Sequence, residues 1–455
     1  MEKDHTHSAD LIIDNCSILT SAFEFKNNQC IVIKNKKIEA IGDQSVLAGT
    51  YHAAEQLSGK GKLVMPGLID AHTHTNQQLL RGRITDEYPM IWTRIMVPFE
   101  SNLREKDVYI STKLSCLEMI RSGTTGFIDA GGRHMHQVAE AVIKAGLRAV
   151  ITCSTMDSGK EIPATMKASP GYNIRRNEQL FKDFQGAGDG RLDVWFSLRS
   201  LISCSADLVL KVFEAADSLS TGVQTHMNEY PNEISYCLEN FRMRPYEFLE
   251  SLGVLHERFL GAHSILLSEN EMDIIKKHQS KIVHCPISNA GKGIPNTPGL
   301  LQKKMDIGMG TDGAAHSGLS LFDQMKVFKS MIRAGFGVPI HDPAILPSAS
   351  ILEMATSGGA EAMMKGDQLG TLDVGKKADL ITINIDQPHI QPTHSIVNSL
   401  IESVNSNDVT DTIIDGNIVM KNREVLTLDE EKTIYESRLA AKDLFVRANL
   451  ASLPS

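Results

Sequence analysis

The chain has 455 residues, of which 42% are hydrophobic and 22% charged, and its formal net charge is -9 at pH 7. These values predict a soluble globular protein, and the mixture of acidic and basic residues along the chain excludes the basic stripe of a nucleic-acid-binding protein. Seven scattered cysteines without a CxxC pair, and the lack of a signal peptide or of an 18-residue apolar stretch, predict a reduced cytoplasmic protein that does not contact membranes.

The first 65 residues carry short β-rich runs. Leu11-Ile12-Ile13 and Cys30-Ile31-Val32-Ile33 are rich in β-branched residues, and Asn35-Lys36 lies where a hairpin turn belongs. These runs predict that residues 1–65 form the first part of a small β-domain.

Residues 66–366 alternate short apolar strands with segments of helical spacing, such as 105–121 and 206–219. Eight strand–helix units are the requirement of a (β/α)8 TIM-type barrel, in which strands buried on both faces read as continuous apolar runs. The predicted fold class is therefore α/β, with a doubly wound open sheet as an alternative that needs fewer strands. The eight predicted strands cover residues 63–74, 124–129, 148–152, 194–198, 222–227, 259–264, 282–286 and 307–312.

A β-rich pattern returns in residues 367–430. Thr412-Ile413-Ile414 precedes Asp415-Gly416, which is a strong two-residue hairpin signal. Two β-rich ends around an α/β middle predict one β-sandwich domain built from residues 1–65 and 367–430. Helical spacing in the last segment predicts a C-terminal helix over residues 431–455.

Histidines and an aspartate fall at the carboxyl ends of the predicted strands, where barrel active sites are built. His72 and His74 end the first strand, His226 the fifth, His263 the sixth and Asp312 the eighth. Residues i and i+2 of a strand point the same way, so His72 and His74 face one side. Three imidazoles and one carboxylate suit zinc or another divalent first-row metal. The pattern predicts a metal site.

Each of these signals also has an ordinary structural explanation. A single strand-end histidine is often a core residue, and the His-x-His pattern recurs at His5-Thr6-His7 in a polar leader. The coincidence of strand ends favours the metal site over packing. Glu229 lies three residues after His226, an offset that suits a proton shuttle above a metal, the alternative being an acid in the first turn of the next helix.

Several motifs resemble the amidohydrolase superfamily, in the branch that holds guanine deaminases, S-adenosylhomocysteine/methylthioadenosine deaminases and triazine hydrolases. The similarity covers nearly the whole chain, and residues 375–380 resemble the superfamily's return into its β-domain. The motifs are residues 66–74, His226-Met227-Asn228-Glu229, Gly261-Ala262-His263, His284-Cys285-Pro286-Ile287-Ser288-Asn289 and Gly310-Thr311-Asp312.

The resemblance implies one divalent metal ion per chain, zinc in the first place and iron or manganese as alternatives. The ligands would be His72, His74, His226 and Asp312. Glu229 would carry protons, His263 would hydrogen-bond the activated water, and Asp312 would also take the proton of that water. Binuclear relatives carry a carbamylated lysine at the end of strand four, whereas this chain has Phe196-Ser197-Leu198-Arg199 there.

Four residues are predicted to bind the substrate, namely Gln77, Arg199, Trp92 and His284. Gln77 resembles the glutamine that guanine-type deaminases place against the purine, and Arg199 lies where those enzymes carry a substrate-binding arginine. The guanidinium fork could donate two hydrogen bonds to a ring oxo group or clamp a carboxylate. The alternative for Arg199 is a salt bridge at the barrel rim.

The sequence therefore predicts a hydrolytic deaminase that releases ammonia from a guanine- or pterin-like heterocycle. An S-adenosylhomocysteine/methylthioadenosine-type deaminase and a triazine-type chlorohydrolase or amide hydrolase are the alternatives. Tyr88-Pro89-Met90-Ile91-Trp92 lacks the ribose-binding glutamate of the S-adenosylhomocysteine group, whereas Leu79-Leu80-Arg81-Gly82 resembles that same group. Related enzymes are often dimers, so a homodimer is expected.

Overall fold

The computed structural model describes residues 7–87, 91–159 and 162–450. His5 and Thr6 of the predicted polar leader, the loop residues 88–90 and the end of the predicted C-terminal helix lie outside these ranges, whereas His7 begins the first strand. The strands, in chain order, are β1 (His7–Leu19), β2 (Phe25–Lys34), β3 (Lys37–Asp43), β4 (Tyr51–Ser58), β5 (Lys62–Pro66), β6 (Leu68–Thr73), β7 (Thr124–Asp129), β8 (Arg148–Ile151), β9 (Ser154–Thr155), β10 (Leu192–Val194), β11 (Phe196–Ser200), β12 (Val223–Met227), β13 (Phe259–His263), β14 (Lys281–His284), β15 (Ile307–Met309), β16 (Leu380–Asn384), β17 (Val409–Ile414), β18 (Asn417–Lys421) and β19 (Glu424–Val425).

Helices occupy most of the connections between the strands of the middle region. The last of them lies within the segment predicted as a C-terminal helix. In chain order they are α1 (Gln44–Thr50), α2 (Val97–Ser101), α3 (Glu105–Arg121), α4 (Met135–Ala145), α5 (Pro170–Phe184), α6 (Ala187–Gly190), α7 (Ala206–Ser218), α8 (Pro231–Phe241), α9 (Pro245–Ser251), α10 (Glu269–His278), α11 (Pro286–Asn289), α12 (Thr297–Gln302), α13 (Leu321–Ile332), α14 (Ser348–Ala355), α15 (Ser357–Ala362), α16 (Ile396–Glu402) and α17 (Glu430–Arg447).

Strands from both ends of the chain share one mixed sheet. Among the described residues, nine strands belong to it, in the order β19-β18-β17-β16-β5-β1-β2-β3, with β4 paired to β1. β16 runs antiparallel to β5, with Leu380 opposite Pro66, so the chain returns after the middle region onto the strand that precedes it. The two β-rich ends therefore meet in one sheet, while the sandwich and the domain bounds stay predictions.

The middle region contains two parallel sheets, of order β10-β8-β7-β6 and β15-β14-β13-β12-β11-β9. The predicted fourth strand, residues 194–198, is interrupted between β10 and β11. The predicted third strand, residues 148–152, corresponds to β8, and β9 follows it within a few residues. The amide of Trp195, which separates β10 from β11, donates to the carbonyl of Ile151 at 3.0 Å. On the other side, the amide of Asp312 donates to the carbonyl of His72 at 2.9 Å.

The prediction of a single first strand over residues 63–74 is wrong. The segment is divided into β5, which belongs to the mixed sheet, and β6, which belongs to a parallel sheet, with Gly67 between them. A Cβ at Gly67 would lie 2.1 Å from Oγ1 of Thr125, so the chain crosses between the sheets at a point with no room for a side chain. Both strands are buried, and their apolar runs join without a visible break in the sequence.

Buried apolar side chains form a large core between the parallel strands and the helices that follow them, with Phe127, Phe196, Phe259, Phe322 and Phe328 among the largest. Burial of apolar side chains, aliphatic and aromatic, is the main stabilising contribution to such a region. None of the helices in the described ranges is long and apolar enough to cross a membrane.

Candidate metal centre

The carboxyl ends of four parallel strands bring the predicted residues together. One nitrogen or oxygen atom from each of His72, His226, His263 and Asp312 lies within 4.8 Å of the others. His263 and Asp312 have left-handed backbone angles, with φ of 69° and 61°. This conformation is costly for residues with a side chain, and such strain is concentrated at functional sites. The backbone thus turns sharply at the strand ends and directs both side chains into one cluster.

His74, the second half of the His-x-His motif, lies beside this cluster. Its Nε2 is 3.1 Å from Nε2 of His226 and 3.5 Å from Oδ1 of Asp312. Oδ1 of Asp312 is also 3.5 Å from Nε2 of His72 and 3.9 Å from Nε2 of His263. Three of the predicted histidines therefore lie around one carboxylate oxygen of Asp312, and His226 lies beside His74.

Several ring nitrogens of the cluster are buried without a hydrogen-bond partner in the part of the chain that the structure describes, including both nitrogens of His72 and Nε2 of His263. Buried polar atoms without partners are rare in folded proteins. Desolvation holds the pKa of His74 and of His226 well below its usual value and lowers that of His263 to about 4. Neutral imidazoles with free lone pairs beside a carboxylate fit a divalent cation such as zinc.

The side chain of Asn289 contacts the ring of His263 and favours one of its tautomers. The orientation of Asn289 that satisfies its neighbours places its amide nitrogen 3.2 Å from the carbonyl of Cys285 and 3.0 Å from Nδ1 of His263. Nδ1 then accepts a hydrogen bond, so the proton of the neutral ring lies on Nε2. Nε2 faces Oδ1 of Asp312 and Oε1 of Glu229, at 3.9 and 3.7 Å.

Glu229 lies just beyond β12, with a partly buried side chain. Lys292 donates from Nζ to Oε1 of Glu229 at 2.6 Å and to Oγ of Ser288 at 2.7 Å. Burial opposes ionisation of Glu229, but His263 and Lys292 outweigh it and hold the pKa of this carboxyl below its usual range. Glu229 is thus a carboxylate at the edge of the cluster. Sequence reasoning missed Lys292 altogether.

Two predicted substrate-binding residues are tied to a third residue, Glu100 in α2. Arg199, at the end of β11, donates to both carboxylate oxygens of Glu100 at 3.2 and 3.1 Å. Gln77, in the 3-10 helix Thr75–Leu80, donates from Nε2 to Oε1 of Glu100 at 2.6 Å. All three side chains are buried. The salt bridge considered for Arg199 is therefore present, but it lies inside the molecule, and sequence reasoning missed its partner.

The other two predicted substrate-binding residues, Trp92 and His284, contact different members of the site. The ring of Trp92, in the π-helical turn Trp92–Met96, has its centroid 6.0 Å from Cζ of Arg199. His284, at the end of β14, places Nδ1 2.8 Å from the carbonyl of His263, and its Nε2 is buried without a partner in the described chain. Burial lowers the pKa of His284 to about 4. Trp92 thus lies next to Arg199, the partner of Glu100, and His284 contacts the backbone of His263.

Asp312 has two further neighbours that sequence reasoning missed. Ser288 donates from Oγ to Oδ2 of Asp312 at 2.6 Å, and Nε2 of His316 lies 3.3 Å from the same oxygen. Ser288 lies in the motif of residues 284–289 that resembles the superfamily, without a role assigned to it there. The other sequence signal is the spacing of four residues, from Asp312 to His316 and from Ser288 to Lys292. That spacing is common among polar residues that share a helix face, so it does not single them out.

Parallel strands that gather neutral histidines and a carboxylate at their carboxyl ends define the class of metal-dependent hydrolases. Residues 63–419 match the amidohydrolase family, and the chain belongs to that family. The predicted superfamily and enzyme class are thereby confirmed.

Similar proteins match along nearly the whole chain. A 5′-deoxyadenosine deaminase of Methanosarcina acetivorans is 34% identical over 448 residues, which are 97% of this chain and 100% of that protein. A 5-methylthioadenosine/S-adenosylhomocysteine deaminase of Acetivibrio thermocellus is 33% identical and covers 96% of this chain and 98% of its own length. The crystal structure of an adenosine deaminase from Xanthomonas campestris with bound zinc superposes with a TM-score of 0.91, at 25% identity, over 97% of this chain and 100% of that one.

Proposed function

We propose that this protein is a zinc-dependent hydrolytic deaminase of adenosine-type nucleosides that differ at the 5′ position, such as 5′-deoxyadenosine or 5′-methylthioadenosine. The observation that carries the proposal is the cluster of His72, His226, His263 and Asp312 with Glu229 at its edge. The full-length similarity to deaminases of such nucleosides supports the substrate class.

The tautomer of His263 that Asn289 favours, with the ring proton on Nε2, supports the predicted ligand set of His72, His74, His226 and Asp312. A nitrogen that carries a proton cannot bind a metal, but it can donate a hydrogen bond to an attacking water. His74 would then be the third imidazole ligand. A bound metal ion would act as a Lewis acid and lower the pKa of a water molecule toward about 7.

The remaining steps belong to the side chains of this protein. Asp312 accepts a proton from the water that attacks the carbon bearing the amino group. Glu229, which starts as a carboxylate, takes up in turn the two protons that water loses, including the one accepted by Asp312. It delivers the first to the neighbouring ring nitrogen and the second to the leaving amine. The carbon–nitrogen bond to the amino group breaks, the ring carbon keeps the oxygen of water, and ammonia leaves.

The contacts of Arg199 bear on the choice of substrate. Its two terminal nitrogens already face the carboxylate of Glu100, which leaves that fork less able to recognise a ring oxo group. The guanine- or pterin-like substrate, which was the first expectation from the sequence, relied on this arginine and on Gln77, whose amide nitrogen also donates to Glu100. The alternative expectation, an S-adenosylhomocysteine/methylthioadenosine-type deaminase, is the one that the similar proteins support.

Three structural expectations belong to the same proposal, namely the closed barrel, the β-sandwich and the homodimer. Within each parallel sheet the strands follow one another in chain order, without the reversal of strand order found in doubly wound sheets. This order, and the contacts of Trp195 with Ile151 and of Asp312 with His72, support one closed barrel over residues 66–366. The β-sandwich of residues 1–65 and 367–430 and the homodimer stay predictions.

Ammonia release from a panel of compounds tests the substrate class. The zinc-loaded protein is offered 5′-deoxyadenosine, 5′-methylthioadenosine, S-adenosylhomocysteine, adenosine, guanine, 8-oxoguanine and isoxanthopterin. We expect the highest kcat/KM among the 5′-modified adenosines. Preference for guanine or isoxanthopterin would overturn the substrate class, and silence across the panel with zinc bound would overturn the deaminase.

A further inference from the structure

We propose that Lys292 is a positioning residue that holds the carboxylate of Glu229 over the metal cluster. This inference rests on the proposed function, because it assigns Lys292 a role through the proton shuttle. Lys292 follows α11 on the loop after β14, and its side chain is only 6% exposed. A lysine ammonium is rarely kept from water without a specific partner.

The contacts of the ammonium group are short and directed. Nζ of Lys292 lies 2.6 Å from Oε1 of Glu229, 2.7 Å from Oγ of Ser288 and 3.6 Å from Oδ2 of Asp312. It also lies 5.0 Å from the ring centroid of Tyr230, which provides a cation–π contact. One cation therefore bridges the carboxylate proposed to carry protons and the carboxylate proposed to bind the metal.

Two contacts hold Glu229 in place, one at its backbone and one at its side chain. The backbone amide of Glu229 donates to Oε2 of Glu233 at 3.1 Å, which anchors the main chain. Lys292 holds the side chain so that Oε1 lies 3.7 Å from Nε2 of His263. Ser288, which receives a hydrogen bond from Lys292, donates in turn to Oδ2 of Asp312. Two carboxylates that would repel each other are thus held on either side of one ammonium group.

A purely structural ion pair is the competing explanation, and the chain contains a matched control for it. Lys329 in α13 donates to Oγ of Ser348 at 2.6 Å and to Oε1 of Glu402 at 2.7 Å. Its side chain is 7% exposed, so it has nearly the burial of Lys292 and the same pair of partners, a serine and a glutamate. Lys329 has no contact with the metal cluster among those described.

The test compares Lys292→Met with Lys329→Met in kcat, KM and bound zinc. We expect Lys292→Met to lower kcat per bound zinc by about tenfold to a hundredfold, a loss of the size found within one hydrogen-bonded network. KM and zinc content should stay near those of the wild type, and Lys329→Met should leave kcat unchanged. A raised KM with unchanged kcat, or equal effects of the two substitutions, would overturn the inference. Lys292→Gln replaces the methionine variant if that variant does not fold, with the same expected result.

A double substitution separates this inference from the proposed function. If Lys292 acts through Glu229, Lys292→Met should change kcat less than about twofold in the Glu229→Gln background, because the two residues act as one unit. If the losses in kcat of the two single variants multiply in the double variant, the inference that Lys292 acts through Glu229 is contradicted. Normal turnover by Glu229→Gln alone would overturn the proposed shuttle, whereas loss in Glu229→Gln with normal turnover in Lys292→Met would overturn the role of Lys292 only.

Discussion

At the scale of single residues, the site consists of buried groups whose charges balance one another. Arg199 faces Glu100, and Lys292 lies between Glu229 and Asp312. A buried charge without a partner costs several kcal/mol, about 3–5 kcal/mol where one member of such a pair is removed. The charges around the metal cluster therefore constrain one another's positions.

Replacement of Glu229 by glutamine is the direct test of the proton shuttle. The amide keeps the shape of the carboxylate but cannot accept and return a proton, so we expect kcat to fall by about 10²- to 10⁴-fold, the range of general acid–base catalysis. Zinc content, measured by elemental analysis, should stay at the wild-type value. Glu214→Gln on the exposed face of α7 is the control, and a Glu229→Gln enzyme with near-normal turnover would contradict the assignment.

The residues of the metal cluster could be predicted because each lies at the end of an apolar strand that is visible in the sequence. His226 and Asp312 are examples. Lys292 and Glu100 could not be predicted in this way, because their roles depend on which loops meet in space. Glu100 follows Val97-Pro98-Phe99 and reads equally well as an ordinary helix residue. An isolated acid in an apolar run is a signal of burial, but it does not indicate the partner.

At the scale of secondary-structure elements, the crossing from β5 to β6 joins the mixed sheet to the parallel sheets. The crossing occurs at Gly67, and it delivers His72 to the metal cluster five residues later. Hydrophobic periodicity predicts the strands well, but it cannot separate two buried strands that follow each other directly. The division into β5 and β6 is determined by the packing of Gly67 against Thr125, which lies far away in the sequence.

Gly67→Ala should therefore be destabilising. Its Cβ would lie 2.1 Å from Oγ1 of Thr125, and overpacking of this kind costs about 1–3 kcal/mol. Gly49→Ala in α1 is the control, since a Cβ there meets no atom within 4 Å and alanine is favoured in a helix. Urea denaturation measures the free energy of unfolding of both variants. Equal stability of Gly67→Ala and the wild type would contradict the tight crossing.

At the scale of the whole molecule, a buried cluster of charges fastens the parallel strands to the mixed sheet. Arg148 in β8 donates to both carboxylate oxygens of Asp379 at 2.9 and 3.0 Å and lies 3.4 Å from Asp415. Asp379 directly precedes β16, and Asp415 follows β17. The sequence indicates two β-rich ends and an α/β middle, but this contact between distant segments is visible only in three dimensions.

The central claim is that one metal ion at this cluster supports deamination. Protein freed of metal with a chelator is titrated with zinc, and ammonia release from 5′-deoxyadenosine is measured at each step together with bound zinc. We expect no turnover without metal, a rate that rises in proportion to bound zinc, and a plateau at one equivalent per chain. Full activity of the metal-free protein, or a rate that rises until a second equivalent is tightly bound, would contradict the account.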